Sequence, residues 1–170
     1  VAQFGVSFLK RLSKVGEFDG RLYGLVYAWL AHLDSTESAS FLSVLDAFVL
    51  HVFIILGFKP LLEKCVVCEM NAHDILKHEI EHGKKAGFYF AGGGLVCSSC
   101  KEKKRGVSEQ IQDCGIATIS NLQRLISSNF QLVAAADLSG EERRSLHELV
   151  YEFALYHHER EVPDWGNWCP

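Results

Sequence analysis

The sequence predicts a mainly α protein: a helical bundle-like domain with a small four-cysteine finger inserted in it, the finger containing a short β-hairpin. Three observations carry that prediction. Apolar residues recur at helical spacing on both flanks of the chain. Four of the six cysteines fall in the middle as two C-x2-C pairs. The charge balance changes over the same stretch: residues 1–64 hold 6 Lys+Arg against 6 Asp+Glu, residues 65–105 hold 7 against 5, and residues 106–170 hold 4 against 10. The predicted division is therefore 1–64 as one helical part of the core, 65–105 as the finger subdomain, and 106–170 as the other helical part of the same core.

The elements follow in order. Phe8, Leu9, Leu12 and Val15 share one face of a first short helix. Asp19 is placed to cap a second, running through Leu22, Leu25, Val26, Trp29, Leu30 and Leu33, because its carboxylate can accept from the first orphan amides. Ser38 or Ser40 opens a third over Phe41–Leu56, and Gly57 and Pro60 stop it. Ser43, Asp46 and His51 interrupt that run, and a bilayer span needs about 20 mostly apolar residues, so the segment reads as a buried helix rather than a membrane span. In the middle, Phe88, Phe90, Leu95 and Val96 flank Gly92, Gly93 and Gly94, the pattern of a hairpin around a glycine turn. Ile119, Leu122, Leu125 and Ile126 predict a fourth helix. Ser139 and Glu142 form a capping box for the last, whose buried face is Leu146, Leu149, Val150 and Phe153.

Bulk properties bound the answer further. A 170-residue chain buries about 70% of the surface its unfolded form exposes, so a core needs no disulfide staples. A net charge of −4 argues against a uniformly basic nucleic-acid coat protein. The first 20 residues carry Lys10, Arg11, Lys14, Glu17 and Asp19 without a secretory apolar core, which places the six cysteines in a reducing, cytoplasmic setting. The chain opens at Val1, where a natural translation product opens with Met, so it reads as part of a longer protein.

Cys65-Val-Val-Cys68 and Cys97-Ser-Ser-Cys100 are separated by 28 residues. Two residues between thiols let one tight turn aim both sulfurs at one ion, and two such turns complete a tetrahedron of thiolates around zinc. Four protein ligands close the coordination shell, so the expected Zn2+ is structural rather than water-activating. An iron–sulfur cluster, a redox pair or two disulfides are the competing uses of the same residues; the absence of a βαβ pattern and the reducing setting weigh against the last two. Cys114 and Cys169 read as plain thiols.

A second metal signal is His78-Glu79-Ile80-Glu81-His82, which matches H-E-x-x-H and on a helix would make Glu79 the general base of a zinc hydrolase. Its surroundings give little apolar support for a buried helix, and the competing reading is a solvated, charged surface segment. Directly after the second thiol pair come Lys101, Lys103, Lys104 and Arg105, with Lys84 and Lys85 on the other arm of the hairpin. Such a display suits phosphate, which is recognised by charge; the competing reading is a face that merely keeps the finger solvated. No G-x-x-x-x-G-K-[ST] and no G-x-G-x-x-G after a strand is present.

Two stretches resemble the C-terminal part of the bacterial DNA repair protein family RecO. Phe48–Cys68 is similar to its helix, Leu-Gly-aromatic-x-Pro turn and first thiol pair, and Phe88–Cys100 to its aromatic, glycine and second-pair segment. The resemblance implies a helical domain carrying a zinc finger, with Cys65, Cys68, Cys97 and Cys100 as ligands and Lys101, Lys103, Lys104 and Arg105 as DNA contacts. It implies a non-enzymatic recombination mediator, cytoplasmic and nucleoid-associated, that binds single- and double-stranded DNA and works with RecR and with the tail of single-stranded DNA-binding protein. An N-terminal OB-fold would precede this part. Glu69 stands where the family often carries glycine, and the ending 163–170 departs from the family's. Two further readings are a zinc-stabilised protein–protein module without DNA binding, which the acidic last third suits, and the H-E-x-x-H hydrolase.

Overall fold

The computed structural model describes residues 2–12, 19–35, 37, 40–104, 110–158 and 165. Val15, Ser38, Arg105, Cys169 and the ending apart from Trp165 lie outside these, and so do the expectations placed on them. Among the described residues the fold is mainly helical, with one small antiparallel sheet of three strands. No helix there is long and apolar enough to cross a membrane. The chain divides into two compact units, one made of Val1–Gly57 with Arg124–Pro170 and one of Phe58–Gln123.

The first unit is built around α3 (Phe41–Ile55), against which α1 (Ala2–Leu12), α2 (Gly20–Leu33), α7 (Phe130–Ala134) and α8 (Gly140–His157) pack. Ten α3 residues are buried, from Ser43 to Phe53, because this helix is apolar on every side and must be surrounded. The Trp29 ring stacks on Phe48 at 4.1 Å between centroids. Gly5 of α1 makes that possible: a Cβ there would come within 2.3 Å of the Trp29 ring. Asp19 caps α2 as the sequence predicts, accepting from the Arg21 amide at 2.8 Å. The Ser139–Glu142 capping box of α8 is complete in both directions.

Ser40, one of the two openings the sequence offers for α3, is its N-cap, and its hydroxyl donates to the Ala134 carbonyl at 2.8 Å. Of the apolar residues along α2, Trp29 is the one fully buried, and Leu30 is 37% exposed.

His51 gives this unit a pH dependence. Its Nε2 lies 3.1 Å from the Leu125 carbonyl, and burial holds its pKa below the ordinary histidine value. His157 is lowered by burial too. Both are disfavoured as cations in the native state, whereas the unfolded chain takes up these protons near pH 6.5. Stability is therefore complete above about pH 6.5 and falls as the pH drops below it. In thermal melts from pH 7.5 to 5.5 the native chain should lose Tm, and His51→Gln should reduce the loss, with His157 sustaining the remainder.

The second unit holds α4 (Ala72–His82), β1 (Ala86–Tyr89), β2 (Gly94–Val96), α5 (Ser98–Lys103), β3 (Ile111–Cys114) and the first part of α6 (Ile116–Ser127). The sheet order is β2-β1-β3, with Gly87 opposite both Val96 and Asp113. The predicted hairpin is β1–β2. The third strand and α4 are not in the sequence expectation: β3 is four residues with a single buried side chain, and α4 buries only Ile75 and Glu79. What defines α4 locally is its ends. Asn71 accepts from the Asp74 amide at 2.9 Å, and Gly83 closes the helix in the left-handed conformation.

Candidate metal centre

The two thiol pairs arrive from different directions and are locked together by backbone. Leu61 pairs with the hairpin, its amide donating to the Gly93 carbonyl and its carbonyl accepting from Leu95, both at 2.9 Å. A Cβ on Gly94 would come within 2.2 Å of the Leu61 oxygen, so glycine is required there by this approach; the turn itself needs Gly93, at φ +68°. Val66 then donates to the Leu95 carbonyl at 2.8 Å, which fixes the first pair against β2. The bend after Cys68 puts Glu69 at φ +63°, a left-handed conformation that favours glycine. The Cys65 amide donates to the Met70 carbonyl at 2.8 Å across this bend, and the Glu69 carboxylate pairs with Lys64 at 3.1 Å. The second pair sits where β2 passes into α5: Cys97 is the N-cap, and Cys100 lies in the first turn.

The result is one cluster. The sulfurs of Cys65, Cys68, Cys97 and Cys100 all lie within 4.8 Å of one another, and Cys68 Sγ and Cys97 Sγ are 3.8 Å apart. Thiolates bound at about 2.3 Å to a tetrahedral ion stand about 3.8 Å apart. A disulfide would need about 2.05 Å. Cys65, Cys97 and Cys100 are buried and Cys68 is exposed. Among the described residues this is the one group of His, Cys, Asp and Glu that could hold a metal ion.

The electrostatics of the bare thiols also call for a cation. Burial pushes Cys97 up, and the charge of Cys65 adds to it. Burial pushes Cys100 up as well, with hydrogen bonds from Cys97 and Cys68 in the same sense. Burial acts upward on Cys65 too, but the amides of Cys68, Cys97 and Val67 outweigh it and bring that thiol down to about 7. One thiolate forms readily and its neighbours then resist. A divalent ion at the centre would let such a set of thiols act as thiolate ligands together. Cys114 stands apart: burial raises it to about 12, and its thiol donates to the Gln112 carbonyl.

The H-E-x-x-H pattern does lie on a helix, α4, but its glutamate Glu79 is turned inward. Glu79 is 2% exposed, and its Oε1 accepts from the Ser98 amide at 3.0 Å. His78 and His82 stay toward solvent, their rings stacked at 4.2 Å, with His82 Nδ1 2.9 Å from the His78 carbonyl. A general base must reach a substrate, and this carboxylate is spent on a backbone amide under cover. The expectation of a solvated surface segment is corrected for Glu79 in the same way.

Several of the predicted basic residues are tied into this unit. Lys101 Nζ donates to the Lys85 carbonyl at 2.8 Å and to Asp113 Oδ1 at 2.6 Å. Lys84 Nζ pairs with Glu102 at 3.1 Å. Lys104 Nζ lies 4.8 Å above the centre of the Tyr89 ring. Lys85 and Lys103 are exposed. Lys101 thus joins α5 to the start of β1 and the end of β3, which sequence reasoning did not see, while Lys85, Lys103 and Lys104 carry the outward charge.

A family model described as "Recombination protein O C terminal" matches residues 1–165. No solved structure matches the chain.

Proposed function

Given that the chain belongs to the recombination protein O C-terminal family, a family of DNA repair and recombination, we propose that it acts as a non-enzymatic recombination mediator whose four-cysteine centre holds a structural zinc. The finger proper spans 65–105, and Cys65, Cys68, Cys97 and Cys100 are the ligands. The zinc supplies no chemistry of its own; its binding free energy serves as local folding free energy. What that folding produces is a rigid base for Lys84, Lys85, Lys101, Lys103 and Lys104, with Arg105 next in the chain. The reading is supported by the lysines tied to the same unit as the thiols: Lys84 paired with Glu102, Lys101 bonded to Asp113 and the Lys85 carbonyl, and Lys104 over the Tyr89 ring.

The partners proposed from the family are single- and double-stranded DNA, a RecR-like protein and the tail of single-stranded DNA-binding protein, met in the cytoplasm at the nucleoid. Phosphate contacts release counterions, so affinity should fall steeply with salt. Fluorescence anisotropy with single- and double-stranded oligonucleotides, at 50 and 200 mM salt, tests this. The triple variant Lys85→Ala, Lys103→Ala, Lys104→Ala should bind both more weakly and lower the log–log salt slope by about 2 to 3. Unchanged binding in that variant would remove these lysines from the interface.

A protein-only module is the second reading. It is favoured by α2, which exposes Tyr23 and Tyr27 at 65% and 70% one helical turn apart. Partner capture by a chain that shows no salt-sensitive DNA binding would select it.

A further inference from the structure

We propose that Glu79 is a positioning residue of the metal centre: its buried carboxylate caps the turn that carries Cys97 and Cys100 and so sets how tightly the four thiolates hold their ion. The inference rests on the reading of the cysteines as a zinc site and deepens it.

The first amides of a helix have no intrahelical acceptor and are normally satisfied by an oxygen on the N-cap side chain. In α5 the N-cap is Cys97, and no side-chain bond of that kind is made. Its sulfur belongs to the cluster, 3.8 Å from Cys68 Sγ. Ser98, the next residue, is 2% exposed, so solvent does not serve its amide. The acceptor comes instead from 19 residues earlier in the chain: Glu79 Oε1, at 3.0 Å. Glu79 thus serves a buried amide at the start of α5 that the Cys97 side chain does not reach.

The rest of α4 holds the carboxylate in place. Ile75, one turn before Glu79, is fully buried. At the helix end, the amides of Gly83 and Lys84 both close on the Glu79 carbonyl, the second at 3.0 Å. Glu79 is thus fixed by its own backbone and reaches the second thiol pair with its side chain. A carboxylate bonded to the amide beside a ligand is an outer-shell contact. Loss of such contacts typically weakens metal binding 10–100-fold.

The experiment compares the full chain with Glu79→Met, Glu79→Gln and Ile75→Val. Methionine keeps the length and apolar stem while removing the carboxylate; glutamine keeps an acceptor oxygen; Ile75→Val loosens the same helix without touching Ser98. Zinc content, the rate of zinc loss to a chelator and the cobalt(II) binding curve are measured for each. In the cobalt form, thiolate charge-transfer and d–d bands report the ligand set directly. The expected result is one zinc per native chain and four-sulfur bands in every variant. Glu79→Met should release zinc 10–100-fold faster and need correspondingly more cobalt, with Glu79→Gln and Ile75→Val within a few-fold of native. Should Glu79→Met fail to fold, the pair Glu79→Gln and Ile75→Val still decides. A glutamine chain that loses zinc as an uncapped turn would, or a valine chain that loses it more readily than the glutamine one, overturns the proposal. So does a folded Glu79→Met chain that keeps the native release rate. A native chain that binds no zinc or cobalt overturns the metal reading itself, a distinct result.

Discussion

Replacing Cys97 with serine should strip the metal from the chain and unfold the unit that contains the site. The unit Phe58–Gln123 rests on strands of four, three and four residues. So small a sheet is marginal without a staple. Structural zinc in finger peptides contributes about 10–16 kcal/mol of apparent free energy at neutral pH. A serine hydroxyl is a poor zinc ligand, and it would leave Cys65, Cys68 and Cys100 as a three-thiol remnant. Metal analysis should drop from about one zinc per chain toward none. Limited proteolysis should then cut first between residues 58 and 123. Cys114→Ser is the matched control. Cys114 is buried at 3% but lies outside the cluster, so its variant should keep the metal. Full zinc retention by Cys97→Ser would show that the cluster is not the ligand set.

Asp46→Ala should be the most destabilising single change in the helical unit. Asp46 lies on α3 at 1% exposure and accepts from His147 Nδ1 at 3.0 Å and from Trp165 Nε1. Its carboxylate thus ties α3 to α8 and to a tryptophan fully buried near the end of the chain. Trp165 is packed edge-on by His147 and Tyr151, with ring centroids at 5.4 and 5.3 Å. Removing the acceptor strands two buried donors, each costing about 1–3 kcal/mol. A chain of this size loses about 2–4 °C of Tm per kcal/mol, so the melt should fall by roughly 5–20 °C. Asp46→Asn keeps an acceptor oxygen and should lose much less. Equal melts for the alanine and native chains would show that the bonds contribute nothing net.

The roles of Asp46 and Glu79 were only half legible. Asp46 read as an interruption that argued against a membrane span; nothing near it in sequence announced His147, 101 positions away, or Trp165, 119 away. Glu79 read as part of a metal-binding pattern or as surface. Its use in capping α5 depends on α4 being packed beside β1, a matter of loop closure rather than local chemistry. Lys101 read as one cation among several, and the fold turns it into a tie between Asp113 and the Lys85 carbonyl. Glu69 is a reverse case. A glycine would be at ease in its left-handed bend, and the sequence comparison pointed to that position before the backbone did.

The sequence by itself determined whatever is decided within a turn or two of chain: the core helices other than α7, the Asp19 cap, the Ser139–Glu142 capping box, the hairpin, and the spacing that lets each thiol pair share one bend. Periodicity and capping act over three or four residues, so they are written where they operate. Only the tertiary structure decided which buried polar groups meet: Glu79 with Ser98, and Asp46 with His147 and Trp165. A buried donor or acceptor must find a partner wherever the fold brings one near, and separation along the chain carries no record of that choice.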